Sequence, residues 1–356
     1  MWWLVAASPV AASASYTLPG VLQQLVDEKR REVDRMRKLP EAREDGPWYL
    51  RLGYPSGTSS YALGRAIGWR RERPAVFIDV KRTSPTGEVG TVIPIQPGLV
   101  VEDVLTKAAR LGIDGALVSS DLTSYGGSYR DVRAACTHAQ GGALGGPDVF
   151  PVVCKDLIVD PLQISRAACE GARAVLLIAA ACLPDLPALL DTCTLLGVEA
   201  MVEVHTPDEV TVAAESGAGI LLVNERDRAT GELVPGQCTS LAPFLPPDAV
   251  CLATGGISRI SQVRKLRRAG YDGFVIGRGL CSDPRDAAAL VEAIAAEEPL
   301  QRWGESISVP LNKDAAAKLD EIAPLKIEKG GEEAGASSSA ADKPSAEVDD
   351  TPEFLP

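Results

Sequence analysis

Two lysines and two carboxylates stand at or just past the ends of short apolar runs: Asp79 and Lys81 in AVFIDVK, Lys155 in FPVVCK and Glu203 in EAMVEV. Desolvating an ammonium at the end of a buried run costs on the order of several kcal/mol unless a partner or a substrate uses the charge. A lysine can polarise a carbonyl or hold a carboxylate, and a carboxylate beside it can take up and return protons. Taken alone, Asp79 and Lys81 read equally well as a structural ion pair. Charges converging from three separate runs read as a coupled acid/base centre. Asn224 ends GILLVN with an amide suited to a substrate hydroxyl, and the Arg226 and Asp227 that follow are either substrate contacts or a pair bracing their own loop. Two glycine turns come last, Thr254-Gly255-Gly256-Ile257 and Ile276-Gly277-Arg278-Gly279. Glycine directly after a strand lets backbone N–H groups approach an anion. One such turn is weak, but two in succession imply a phosphorylated small molecule.

The elements that must carry these residues follow from the hydropathy pattern. Between Ala75 and Ala295, eight β-branched runs (AVFIDVK, GALVSS, FPVVCK, AVLLIA, EAMVEV, GILLVN, AVCLAT, GFVIG) alternate with amphipathic segments such as VEDVLTKAARLG and ISQVRKLRRAG. Eight βα units in tandem predict an α/β fold, a closed (β/α)8 TIM barrel over 74–298; an open doubly wound sheet rarely uses so many regular units. Strand side chains alternate, so Asp79 and Lys81 share a face, which is the barrel interior if Val80 meets the helices. Ahead of the barrel, an N-terminal extension (21–73) begins with Val21, Leu22, Leu25, Val26, Val33 and Met36 at helical spacing, with KRR and other charges between them.

The net charge of −12 argues against a nucleic-acid surface, which needs clustered cations. From Glu328 onward, eight acidic residues face two lysines, a balance of −6, so half of the excess lies in an acidic tail (299–356) too poor in large apolar residues to order itself. The eight cysteines lack CxxC spacing and sit in apolar runs, and the two histidines are too few for a histidine-rich metal site, so buried thiols and no metal are expected. Residues 1–20 lack acidic groups and a basic n-region and are broken by Pro9, which leaves an organelle-leader remnant or an unstructured terminus. No segment is long and apolar enough to span a membrane.

IDVKRTSPTGEVG, SSDLTSYGGSYRDV, CKDLIVDPLQI, GARAVLLI, MVEVHTPDEV and VNERDRATGEL follow one another in the order of the indole-3-glycerol phosphate synthase family, which the chain resembles over about residues 21–298. The leader helix VLQQLVDEKRREVDRMR is similar to that family's extra N-terminal helix. The resemblance implies decarboxylative ring closure of 1-(2-carboxyphenylamino)-1-deoxyribulose 5-phosphate to indole-3-glycerol phosphate, in tryptophan biosynthesis, without metal or organic cofactor. It implies Lys155 as general acid on the substrate carbonyl, Lys81 as holder of the departing carboxylate with a part in dehydration, and Glu203 as base or proton relay. Asp79 joins them, and Asn224 orients the hydroxyls. Gly256, Gly277, Arg278 and Ser84 would hold phosphate, Tyr125 would wall the anthranilate ring, and Leu157, Arg226 and Gly255 would complete the pocket. The family usually has Glu at the position of Asp79, Phe at Leu157 and Glu-Ser at Thr254-Gly255. These departures keep open a second reading, a phosphate-ester-binding barrel with altered or lost catalysis. Location would be the plastid stroma in a photosynthetic eukaryote and the cytoplasm otherwise; the oligomeric state is not expressed in the sequence.

Overall fold

The computed structural model describes residues 20–54, 61–68, 73–85, 92–142, 144–227, 230–281 and 284–297. The expected leader (apart from Gly20), the acidic tail and the TGEVG part of the first-strand motif lie outside the described residues.

Eight parallel strands close into a barrel: β1 Ala75–Val80, β2 Gly115–Ser119, β3 Val152–Lys155, β4 Ala174–Ile178, β5 Glu199–Val204, β6 Ile220–Asn224, β7 Val250–Thr254 and β8 Gly273–Ile276, with β8 paired to β1. Each forms within its expected run. FPVVCK starts its strand only at Val152, since Pro151 has no N–H to give a ladder. Alternation sends Ala75, Phe77, Leu117, Val153, Leu176, Met201, Leu222, Leu252 and Val275 into the barrel. Val76, Ile78, Val80, Val175 and Leu177 face the surrounding helices. Val80 therefore packs outward, and Asp79 points inward.

The floor of the barrel is the helix Ala62–Gly68, whose Leu63 and Ile67 join the interior cluster. Its first N–H groups have no partners within the helix. Glu199, at the start of β5, accepts from Leu63 N at 2.7 Å and Gly64 N at 2.8 Å.

The extension starts with α1, Gly20–Met36, which buries Leu22, Val26, Lys29, Val33 and Met36. Leu22 and Val26 pack on Leu157, Ile178, Ala180 and Ala181. Lys29 is a correction to the sequence reading, which left it among the KRR charges between the apolar positions. Three residues after Val26 and four before Val33, it falls on the buried stripe. Its Nζ lies 2.9 Å from Asp156 Oδ1, 2.8 Å from Glu32 Oε2 and 3.6 Å from Asp121 Oδ1. Asp156 also accepts from Ser120 Oγ and Tyr129 OH. One cation on the extension thus fastens the segments that follow β2 and β3.

A two-stranded antiparallel sheet, Thr83–Pro85 against Val92–Pro94, stands beyond β1 and was not expected, because three-residue strands carry no readable alternation. Of the seven cysteines recorded as free, six are buried as expected and Cys169 is exposed. Among the described residues no helix is long and apolar enough to cross a membrane.

Candidate active site

The same alternation that fills the barrel ends, at its C-terminal mouth, in polar residues. A cavity of about 490 Å³ opens there, lined by Asp79, Lys81, Ser84, Tyr125, Lys155, Glu203, Asn224, Arg226, Gly255, Gly256, Gly277 and Arg278. The structure therefore brings together every expected site residue but one.

Asp79 is the hub. Its Oδ2 lies 2.5 Å from Lys81 Nζ and its Oδ1 2.7 Å from Lys155 Nζ. Burial pushes the Asp79 carboxyl up, but the ammonium groups of Lys155 and then Lys81 outweigh it and hold it well below the usual carboxylate range. Burial depresses Lys81, against the opposing pull of Asp79, and the neighbouring Lys155 charge adds to the depression. The shorter aspartate, where the family usually has glutamate, still spans both lysines.

Tyr125 ends the short helix Leu122–Tyr125, which Asp121 caps by accepting from Thr123 N. Its ring centroid is 4.7 Å from Lys155 Nζ and 5.8 Å from Lys81 Nζ, within cation–π range of both. Across the mouth, Asn224 Nδ2 donates to Glu203 Oε1 at 2.7 Å, while Asn224 Oδ1 accepts from Arg226 N at 2.9 Å. The backbone bond fixes the amide so that its donor faces the carboxylate. Asp227 accepts from Thr230 N and Oγ1, and so braces its loop. Burial, then the like charge of Arg278, lowers the proton affinity of Arg226. Arg226 Nη1 donates to Gly231 O, so this guanidinium also braces its own loop while it and Arg278 line the cavity.

Gly255 and Gly256 take φ of +96° and +67°. A Cβ on Gly255 would stand 2.9 Å from Glu225 N and 3.0 Å from Asn224 Oδ1. Gly255→Ala is therefore expected to lower stability by about 1–2 kcal/mol through left-handed strain and to reduce kcat/KM by displacing Asn224; melting and steady-state kinetics on one preparation check both. Thr254 spends its hydroxyl on Val275 O at 2.8 Å.

Leu157 is the correction. It does not line the cavity but packs beneath α1, because the chain after β3 turns outward where Asp156 is drawn into the Lys29 network. Leu233, which does line the cavity, was missed; it comes from the β6 loop, where no periodicity marks it. Among the described residues no group of three or more His, Cys, Asp or Glu is placed to hold a metal ion.

The sequence model of the indole-3-glycerol phosphate synthase family matches residues 22–293. Indole-3-glycerol phosphate synthase of Kineococcus radiotolerans is 35% identical over 232 residues, covering 64% of this chain and 78% of that protein. The Micrococcus luteus protein of the same name is 34% identical over 267 residues (73% and 91%), and that of Chlorobium luteolum 32% over 269 residues (73% and 92%). With this barrel, this mouth and these relatives, the chain belongs to the indole-3-glycerol phosphate synthase family.

Proposed function

We propose that the cavity catalyses the decarboxylative ring closure of 1-(2-carboxyphenylamino)-1-deoxyribulose 5-phosphate to indole-3-glycerol phosphate, releasing water and carbon dioxide. The observation that carries the reading is a pair of lysines joined through Asp79, opposite a Glu203–Asn224 pair, in a mouth closed by two glycine turns. Lys155 polarises the carbonyl and gives it a proton. Lys81 binds the carboxylate that is lost, and Glu203 receives and returns the protons that move as the ring forms and water leaves. Asn224 orients the ribulose hydroxyls. Phosphate rests on the backbone of Gly256, Gly277 and Arg278, near Ser84 and Arg226, with Gly255 giving the turn its close approach. Tyr125 stands against the anthranilate ring.

The test is to supply this substrate to the purified protein and follow indole fluorescence, with Lys155→Ala alongside. No turnover above that variant would refute the assignment. Phosphate-ester binding without turnover would instead favour a binding barrel.

A pH profile tests Lys81 separately. Because burial lowers its proton affinity, the alkaline limb of kcat/KM is expected below the ordinary lysine value of about 10.4. Lys81→Arg should move that limb upward, since a guanidinium stays protonated throughout. An unmoved limb would assign it to another group. Residues 1–20 are read either as the remnant of an organelle address, the plastid in a photosynthetic eukaryote, or as an unstructured terminus of a cytoplasmic protein; fusing them to a fluorescent protein and locating it in cells separates the two.

A further inference from the structure

His205 stands one residue beyond β5, buried, with both of its backbone polar groups held. Its N–H donates to Glu209 Oε2 at 2.8 Å and its carbonyl accepts from Gln237 Nε2. The ring therefore has a fixed seat between two carboxylates. Nε2 lies 3.4 Å from Glu203 Oε1 and Nδ1 lies 3.6 Å from Glu209 Oε2. Neither ring nitrogen has a hydrogen-bond partner, which is rare enough for a buried polar atom to require a reason.

The neighbouring elements narrow that reason. The helix Pro207–Glu215 contributes Glu209, β6 contributes the neutral Asn224, and the helix Gln237–Leu241 contributes the neutral Gln237. The short helix Ala179–Cys182, which packs on β5 and on Pro207–Glu215, consists of three alanines and a cysteine. The charged groups recorded against the ring are thus Glu203 and Glu209. Separations of 3.4 and 3.6 Å are a small ring rotation from hydrogen bonds, and active sites without substrate commonly hold such bonds long.

We propose that His205 is a positioning residue for Glu203, donating from Nε2 to the same Oε1 that Asn224 holds, so that the carboxylate stays in one orientation facing the substrate. The inference rests on the reading of Glu203 as the proton-handling group. A donor to the ionised form favours that form, so loss of the imidazole makes Glu203 easier to protonate.

The measurements are kcat and KM across pH for His205→Phe, which keeps the bulk and removes the donor, and for His205→Gln, which keeps a neutral donor. Glu203→Gln and the wild type run in parallel, with melting curves for all. The expected result is an acid limb of kcat displaced upward by about one pH unit in His205→Phe, a kcat lower by about tenfold or more, and a KM within about twofold. His205→Gln should fall between that variant and the wild type. Acid limbs at the wild-type position in both folded variants would overturn the proposal, leaving His205 a packing residue. If His205→Phe does not fold, His205→Gln alone decides in the same way. Full turnover in Glu203→Gln would instead sink the reading beneath it, a different outcome from an inactive Glu203→Gln beside an unmoved His205 limb.

Discussion

Replacing Lys155 by alanine is expected to lower kcat by about 10³-fold, within the range assigned to a lost general acid. The geometry gives two reasons for so large an effect. The ammonium ends β3 inside the mouth, where the proposed mechanism makes it the proton source, and it is also one of the two charges that keep Asp79 ionised. Its loss leaves Asp79 with Lys81 alone, so the carboxyl should titrate nearer to its ordinary value, and Lys81 is then less free to take the substrate carboxylate. Lys155→Arg should not restore the rate, because a guanidinium holds its protons too tightly to act as an acid. Single-turnover kinetics with a binding measurement separate the two losses: chemistry should collapse while phosphate-ester affinity changes by less than about tenfold. A variant within tenfold of the wild-type kcat would remove Lys155 from its role.

Lys29→Met should destabilise the protein by about 3–5 kcal/mol, because it leaves Asp156 and Asp121 as buried carboxylates without their cation. For a barrel of this size that is roughly a 10 °C fall in melting temperature. The partner variant Lys29→Met/Asp156→Asn should recover part of the loss, since neutralising Asp156 removes an uncompensated charge. Burial works against the Lys29 charge, but Asp156, Asp121 and Glu32 together raise its proton affinity above that of an ordinary lysine. A group whose folded-state pKa is raised contributes fully below its unfolded value, about 10.4, and loses that contribution only as pH rises beyond it. The stability gap between wild type and variant should therefore narrow at strongly alkaline pH, where Lys29 loses its proton, and also toward acid pH, where protonation of the uncompensated Asp156 and Asp121 relieves the variant. A gap below about 1 kcal/mol would reduce Lys29 to a surface charge.

The strands and the mouth were readable for one reason. A barrel strand buried on both sides is a continuous apolar run, so its first polar residue marks the mouth, as in IDVK, VVCK and ILLVN. Glu203 was readable inside an apolar run because a carboxylate there must have a partner, which proved to be Asn224. Lys29 was misread rather than hidden: a lysine on a helix ordinarily belongs to the wet face, but its register with Val26 and Val33 puts it on the buried stripe. Leu157 was misplaced because family likeness fixes a position in the chain and not the direction of a side chain after the strand has ended. Leu233 lies in a loop, where contacts depend on closure in space.

Asp79 sits where one anion already satisfies two cations, so the lysine end of the mouth is not an open positive well. Asp79, Lys81 and Lys155 together carry a single surplus positive charge. A chloride or acetate ion reaching the two lysines must compete with a carboxylate that cannot diffuse away. The proposed substrate carries its carboxylate and its phosphate on one skeleton, so in the proposed binding mode it would exchange partners at the lysine end while held at the glycine end. Asp79 is thus a built-in counter-ion for both lysines, and an incoming carboxylate has to displace it to reach them.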